Sequence, residues 1–158
     1  MTSAGELRER ARDAGARLRR IPATGRGEYG APDPETGERW NRGNVLGHVA
    51  EMLAFWTDQS RAALGGQTAV GRGEPGYASR REGIERGDMV EEAELRASIE
   101  QSLRDLDGLL ADMPEDALAT QVVYRRQDGD RNQALGDFID QVLVGHFEEH
   151  LTQLESLT

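Results

Sequence analysis

Three histidines are the residues of this chain whose positions suggest chemistry. His146 and His150 lie four residues apart in His-Phe-Glu-Glu-His, and His48 lies in a separate apolar segment, residues 45–52. Residues four apart project from the same face of a helix. Two imidazoles from one helix and one from a neighbour supply three ligands of a tetrahedral metal site and leave the fourth position open. The pattern therefore predicts a divalent metal held by His48, His146 and His150.

The predicted ligands face the interior of the fold. At about 100° per residue, His146 and His150 fall on the same stripe as Ile139 and Leu143. His48 lies at the edge of a second apolar stripe, formed by Val45, Val49, Met52 and Trp56. A buried imidazole without a partner costs roughly 1–3 kcal/mol. Each ring must therefore share a metal or find its own hydrogen-bond partner, and the sequence leaves both options open, since it does not show that the two helices are neighbours.

Four amphipathic segments are predicted to be helices. They cover about residues 3–20, 41–64, 88–113 and 132–157. Ser3 and Glu6 match a capping box at the start of the first helix, and Pro22 ends it. The stretches between helices that are rich in glycine, proline and arginine, 22–40 and 65–87, are predicted to be loops, and residues 120–126 a short extended piece. The predicted fold is an all-α four-helix bundle with long crossover loops, forming one domain over residues 1–158.

The composition restricts the chemistry available to the chain. Its net charge is −10 and all nineteen basic residues are arginine. Such an acidic chain is expected to bind neither nucleic acid nor an anionic membrane. Because it contains no cysteine, disulfides, thiolate ligands and a cysteine nucleophile are excluded, and thiol chemistry would need a thiol from a cosubstrate. We find no secretory signal and no run of about 18 apolar residues, so a cytoplasmic protein is expected.

The histidines and their surroundings resemble a known family. Trp40, the segment 45–50 around His48, and the segment 146–154 are similar to the DinB/YfiT-like superfamily of four-helix bundles. The resemblance implies a divalent metal, commonly zinc or nickel, on the three histidines. It also implies a thiol S-transferase or isomerase that uses a low-molecular-weight thiol such as bacillithiol or mycothiol on a small electrophile. An arginine-rich chain without lysine fits mycothiol better than bacillithiol.

Two other functions are compatible with the same residues. Glu149 completes an H-x-x-E-H pattern and could act as the general base of a metal-dependent hydrolase. Alternatively, the bundle could bind a metal or an apolar ligand without catalysis, or form a homodimer through its helix faces. Arg80 and Arg81 are candidates for binding an anionic substrate, although a solvated pair of charges is the commoner interpretation.

Overall fold

The computed structural model describes residues 2–157, which form a mostly helical fold with a small sheet. The helices are α1 Ala4–Arg20, α2 Arg42–Leu64, α3 Gly73–Arg86, α4 Glu92–Asp112, α5 Leu135–Phe138 and α6 Gly145–Ser156. A 3₁₀ turn, Glu115–Ala119, precedes the sheet, and a π-helical turn, Ile139–Val144, joins α5 to α6. The strands are β1 Ala69–Gly71, β2 Gln121–Arg126 and β3 Gly129–Ala134. The predicted fold is therefore confirmed in part: the chain is mostly helical, but it also contains this sheet, which an all-α four-helix bundle lacks.

The two N-terminal helices begin at side-chain caps. Ser3 and Glu6 form the predicted capping box of α1, and Asn41 and Asn44 form an equivalent reciprocal pair at the start of α2. These bonds satisfy backbone N–H groups that have no partner inside the helix. α2 lies at the centre of the fold, where it packs against α3, α4 and α6. Among the described helices, none combines the length and apolar character needed to cross a membrane.

The sheet joins one strand from the middle of the chain to a hairpin from its C-terminal half. β1 pairs parallel to β2, and β2 pairs antiparallel to β3. The extended piece predicted at 120–126 is thus confirmed, whereas the predicted start of the last helix at Asn132 is wrong, because Asn132 pairs with Val123 across the hairpin. Gly129 adopts a φ of 125° at the start of β3, a conformation that favours glycine.

The segment 65–87, predicted to be a loop, contains β1 and α3. Two of its glycines, Gly83 and Gly87, belong to a close backbone contact with α2. A Cβ placed on Gly47 of α2 would lie 2.2 Å from the carbonyl oxygen of Gly83, and one on Gly43 would lie 2.2 Å from that of Gly87. Only glycine allows two helix backbones to approach this closely. We call these four residues the glycine contact, and it fixes the distance of α3 from α2.

The segment 22–40 is a loop, as predicted. Arg42 binds the N-terminal end of this loop. This side chain is 1% exposed, donates hydrogen bonds to the carbonyl oxygens of Pro22 and Gly25, and pairs with Glu92 of α4 at 3.0 Å. At the other end of the loop, the N–H of Gly30 donates to the carbonyl of Trp40 at 2.9 Å. The loop is therefore tied to α2 and α4, which holds Trp40 beside the histidines.

Candidate metal centre

The three predicted metal ligands meet between α2 and α6. One nitrogen from each of His48, His146 and His150 can be chosen so that all three lie within 4.8 Å of one another. The ring centroids are 4.6–5.5 Å apart. His48 is 2% exposed, and the other two rings are largely buried. The two separated stretches of sequence that carry these residues are thus brought to one point by the packing of α6 against α2.

Each of the two α6 histidines has a polar partner besides the other ring. His150 Nδ1 lies 2.8 Å from Oε1 of Gln153, an oxygen that can only accept, so Nδ1 carries the proton. His146 donates to the backbone carbonyl of Val142, one turn earlier in the π-helical turn. Its Nε2 lies 2.8 Å from Nε2 of His150. Two ring nitrogens at this distance can share either a proton or a cation.

Burial keeps all three imidazoles neutral. Desolvation, with the neighbouring histidines as a further cause, lowers the pKa of His48 well below its usual value and that of His146 to about 3. Desolvation also lowers the pKa of His150, against an opposing effect of its bond to Gln153. A neutral imidazole is the form that coordinates a metal. These rings are therefore in the ligating form at neutral pH.

The donor set fits a divalent metal better than three separate hydrogen bonds. Nδ1 of His48 is buried and has no hydrogen-bond partner within residues 2–157. Two ligands of a tetrahedral zinc, each about 2.0–2.1 Å from the metal, lie about 3.3 Å apart. The histidine nitrogens span this value, from 2.8 Å for one pair to a limit of 4.8 Å for the cluster. Three neutral nitrogen donors with oriented rings are a typical ligand set for zinc or nickel.

Trp40 covers the histidine cluster on one side. Its ring lies 5.0 Å from that of His48 and stacks on His150 at 5.7 Å and an interplanar angle of 23°. Trp40 is 9% exposed, and the loop bond to Gly30 holds its backbone. The indole thus restricts the rotation of two of the candidate ligands and excludes water from part of the site.

Two cavities of different character open onto the histidines. The first, which we call the outer cavity, has a volume of 510 Å³ and is lined by residues of the 31–38 loop, Trp40 and all three histidines. It carries four carboxylates, Asp33, Glu35, Glu38 and Glu149. The second, the inner cavity, has a volume of 160 Å³ and shares only His48, His146 and Arg80 with the first. A ligand could therefore reach the histidines from either side.

The remaining candidates from the sequence lie at different distances from the site. Glu149 lines the outer cavity, as a general base would require. Arg80 lies between the two cavities, pairs with Glu38 at 3.1 Å and stands 5.7 Å from the Trp40 ring. Arg81 is exposed and lines neither cavity. Gln153, which the sequence analysis missed, could have been found from its position one helical turn after His150.

A buried cluster of histidines between helices of a mostly helical fold places the chain in a class of candidate metal-binding helical proteins. A family model described as the DinB superfamily matches residues 6–154. The chain therefore belongs to the DinB superfamily, as the sequence resemblance predicted. No curated protein matches the sequence.

Three solved structures share the fold. The chain is similar to the crystal structure of the mycothiol-dependent maleylpyruvate isomerase, with a TM-score of 0.72 and 21% identity over 98% of this chain and 63% of that one. A histidine-to-alanine mutant of the same isomerase gives a TM-score of 0.70 at the same identity and the same coverage of both chains. The colibactin self-resistance protein ClbS, in complex with dsDNA, gives 0.73 at 14% identity over 99% of this chain and 96% of that one. The chain thus spans less than two thirds of the length of the isomerase.

The ClbS structure corrects one prediction. We excluded nucleic acid as a partner because the net charge is −10. A protein with this fold has nevertheless been crystallised with dsDNA, so the exclusion is wrong. Net charge governs the average field around a protein, whereas binding depends on the charges of the surface that meets the ligand.

Proposed function

We propose that this protein is a divalent-metal-dependent S-transferase that uses a low-molecular-weight thiol of the mycothiol type on a small electrophile. His48, His146 and His150 would hold the metal, zinc or nickel. The observation that carries the proposal is the close approach of the Nε2 atoms of His146 and His150, which lie 2.8 Å apart beside His48, whose buried Nδ1 has no hydrogen-bond partner in the described residues. A divalent cation held there supplies Lewis acidity, which favours thiolate over thiol near neutral pH.

The residues around the cluster suit this chemistry. Gln153 and the Val142 carbonyl orient the two α6 imidazoles, and Trp40 limits access of water. The outer cavity, at 510 Å³, falls in the range of about 300–1,000 Å³ that small-molecule sites occupy. Its carboxylates can accept hydrogen bonds from the hydroxyl groups of a sugar-bearing thiol. Because the chain has no cysteine, the nucleophilic sulfur would come from the cosubstrate.

The likeness to a mycothiol-dependent isomerase supports this choice of thiol. The two proteins share the fold at 21% identity, which leaves the reaction and the electrophile of this chain as proposals. Superfamily membership supports the histidine site more directly than it supports any one reaction, since a fold can host many chemistries.

Metal content tests the ligand assignment. We expect about one divalent metal per chain in the wild type, measured by elemental analysis after purification without chelators, and little in His48→Ala. Asp58→Asn provides a matched control on the same helix, because Asp58 is exposed and pairs only with Arg61. Equal metal content in wild type and His48→Ala would remove His48 from the site.

Turnover tests the reaction class. We expect conjugation of a reactive alkyl halide when metal and mycothiol are both present, and loss of the rate when either is removed. Bacillithiol, glutathione and cysteine serve as comparison thiols. A rate that survives complete removal of the metal would contradict the proposal.

A hydrolase is the second candidate, because Glu149 lines the same cavity as the three histidines. In that case esters or amides would be cleaved without any thiol. Glu149→Gln should abolish this hydrolysis while preserving the metal content. Metal binding without either activity would instead favour a non-catalytic, ligand-binding protein.

A further inference from the structure

The inner cavity has a different chemistry from the outer one. Among its described lining residues are three arginines, Arg72, Arg80 and Arg125, two tyrosines and Trp56, and none is a carboxylate. The outer cavity carries four carboxylates and a single arginine. The two cavities meet at His48 and His146. The chain thus places two cavities of different charge at the same histidines, which suits two reactants of different charge.

The inner cavity contains a hydrogen-bond donor that has no acceptor. Trp56 is 4% exposed, and its indole N–H has no hydrogen-bond partner in the described part of the chain. An indole nitrogen can only donate, and buried donors without a partner are rare because each costs free energy. The cavity is therefore built to receive an acceptor from a ligand.

The three arginines differ in how firmly they are already held. Arg72 donates to both oxygens of Glu51 and to the carbonyl of Gly76, and it packs against the ring of Phe55. It forms a wall of the cavity and is not available to a ligand. Arg80 and Arg125 each pair with one carboxylate at more than 3 Å, in pairs that are much more exposed to solvent. Exposed ion pairs contribute little to stability, so these two arginines can exchange partners at low cost.

We infer that the inner cavity is a carboxylate-binding site, in which Trp56, Arg80 and Arg125 hold the carboxylate of the electrophilic substrate. This inference rests on the proposed function, since it takes the histidines as the reacting centre. The thiol enters from the outer cavity and the electrophile from the inner one. The cavity, with a volume of 160 Å³, has room for a small acid.

A matched pair of small alkylating agents isolates the effect of the charge. With chloroacetate, the thiol sulfur forms a bond to the CH₂ carbon, the C–Cl bond breaks, chloride leaves with the bonding electrons and the thiol proton passes to solvent. Chloroacetamide undergoes the same substitution and has nearly the same shape, but it carries no negative charge. The reaction needs no oxidant or reductant. Because the chain has no cysteine, neither reagent meets a protein thiol.

Binding can be measured without metal or thiol. The chain has two tryptophans, so a ¹⁵N-labelled sample gives two indole N–H signals, which Trp40→Phe assigns. At constant ionic strength, chloroacetate should shift the Trp56 signal saturably and chloroacetamide should not. Inorganic phosphate serves as a comparison anion and should shift it far less. If the Trp56 shift does not saturate with chloroacetate, or is equally large with chloroacetamide or phosphate, the carboxylate site is refuted.

Two neighbouring arginines of β2 provide the variant and its control. Arg125→Gln should weaken the binding of chloroacetate, measured by this titration, at least tenfold. Arg126→Gln should leave it unchanged, because Arg126 pairs with Asp128 and does not line the cavity. With metal-loaded enzyme and mycothiol, the kcat/KM ratio of chloroacetate to chloroacetamide should fall about tenfold in Arg125→Gln and stay constant in Arg126→Gln.

The two proposals fail in different ways. A selective shift of Trp56 without turnover by any thiol would refute the S-transferase and leave the carboxylate site standing. Thiol-dependent turnover would support the S-transferase. The carboxylate site would be refuted in that case if chloroacetate left the Trp56 signal unchanged, or if chloroacetamide and phosphate shifted it equally. Equal losses of chloroacetate binding in Arg125→Gln and Arg126→Gln would also refute the carboxylate site, since they would show only a general electrostatic attraction by the positive charges of β2.

Discussion

Replacing Gly47 by alanine should destabilise the protein through the glycine contact. The added Cβ would lie 2.2 Å from the carbonyl oxygen of Gly83 and 2.9 Å from the backbone nitrogen of Gly87. The shorter distance falls about 1 Å short of an ordinary van der Waals contact. Both neighbours are backbone atoms, one in α3 and one in its C-cap residue, so no side chain can rotate away. The two helices must separate or the new methyl group must remain overpacked.

The magnitude follows from two opposing effects. Overpacking a close-packed contact costs about 1–3 kcal/mol, and backbone neighbours favour the upper end of this range. Alanine gains about 1 kcal/mol over glycine in a helix interior. The expected net loss is therefore about 2 kcal/mol, which corresponds to a decrease in Tm of about 4–8 °C for a chain of this size. Because α3 carries Arg80, separation should also disturb the wall between the two cavities.

Thermal unfolding followed by circular dichroism measures the effect, with Gly108→Ala as the matched control. Gly108 lies in α4, and a Cβ built there meets no described atom within 4 Å. This control therefore isolates helix propensity, and its Tm should rise by a few degrees, about 2–4 °C. If Gly47→Ala were as stable as the wild type, or rose with Gly108→Ala, backbone contact between α2 and α3 could not be the reason for glycine at position 47.

Three further perturbations address the site and its supports. Acid should destabilise the metal-free protein as the pH falls from about 6.5 to about 3. In this window His146 is neutral in the folded state, where its pKa is about 3, and protonated in the unfolded chain, so it alone contributes a slope of up to about 1.4 kcal/mol per pH unit. The lowered pKa values of His48 and His150 act in the same direction. Urea unfolding at a series of pH values should therefore show a flatter dependence in His146→Gln. Gln153→Ala should weaken metal binding about 10- to 100-fold in a competition titration with a chelator, and unchanged affinity would deny Gln153 its orienting role. Arg42→Met should cost about 1–3 kcal/mol in urea unfolding, because it leaves the carbonyls of Pro22 and Gly25 without their donor and removes one of the two arginine partners of Glu92. A loss no larger than that of the exposed Arg39→Gln would contradict this account.

The predictable helices are those with local signals. α1, α2 and α4 follow apolar stripes of helical period, and α1 begins at a capping box that can be seen in the sequence. Their observed bounds lie within a few residues of the predicted ones. In these segments local propensity, periodicity and burial agree, so the sequence alone is sufficient.

The elements that were missed depend on tertiary contacts. α3 contains glycines that indicate a loop when read locally, yet those glycines are required by the close approach of α2. β3 has the sequence Gly-Asp-Arg-Asn-Gln-Ala, which shows no alternation of apolar residues. It is a strand because β2 supplies its backbone partners along the full length. Neither contact leaves a pattern within the segment itself.

The candidate site was predictable in part for the same reason. Helical spacing identifies His146 and His150 as a pair and orients His48 inward, but it cannot tell that α2 and α6 are neighbours. The π-helical turn before α6 also has no sequence signal that we recognised, although it supplies the Val142 carbonyl that orients His146. The residues that line the inner cavity come from separate elements of the chain, so its arginines do not belong to one sequence motif.

Local placement of charge, rather than net charge, decides what this chain can recognise. The sequence is strongly acidic, yet folding gathers three arginines and no described carboxylate around the inner cavity and puts four carboxylates around the outer one. Net charge does not exclude nucleic acid as a partner, because it averages over surfaces that a ligand meets one at a time. The same averaging would have hidden the inner cavity, since its three arginines are a small fraction of nineteen. Composition therefore describes the electrostatic field far from the protein. Recognition at the histidines depends instead on the charges of the cavity through which a reactant arrives.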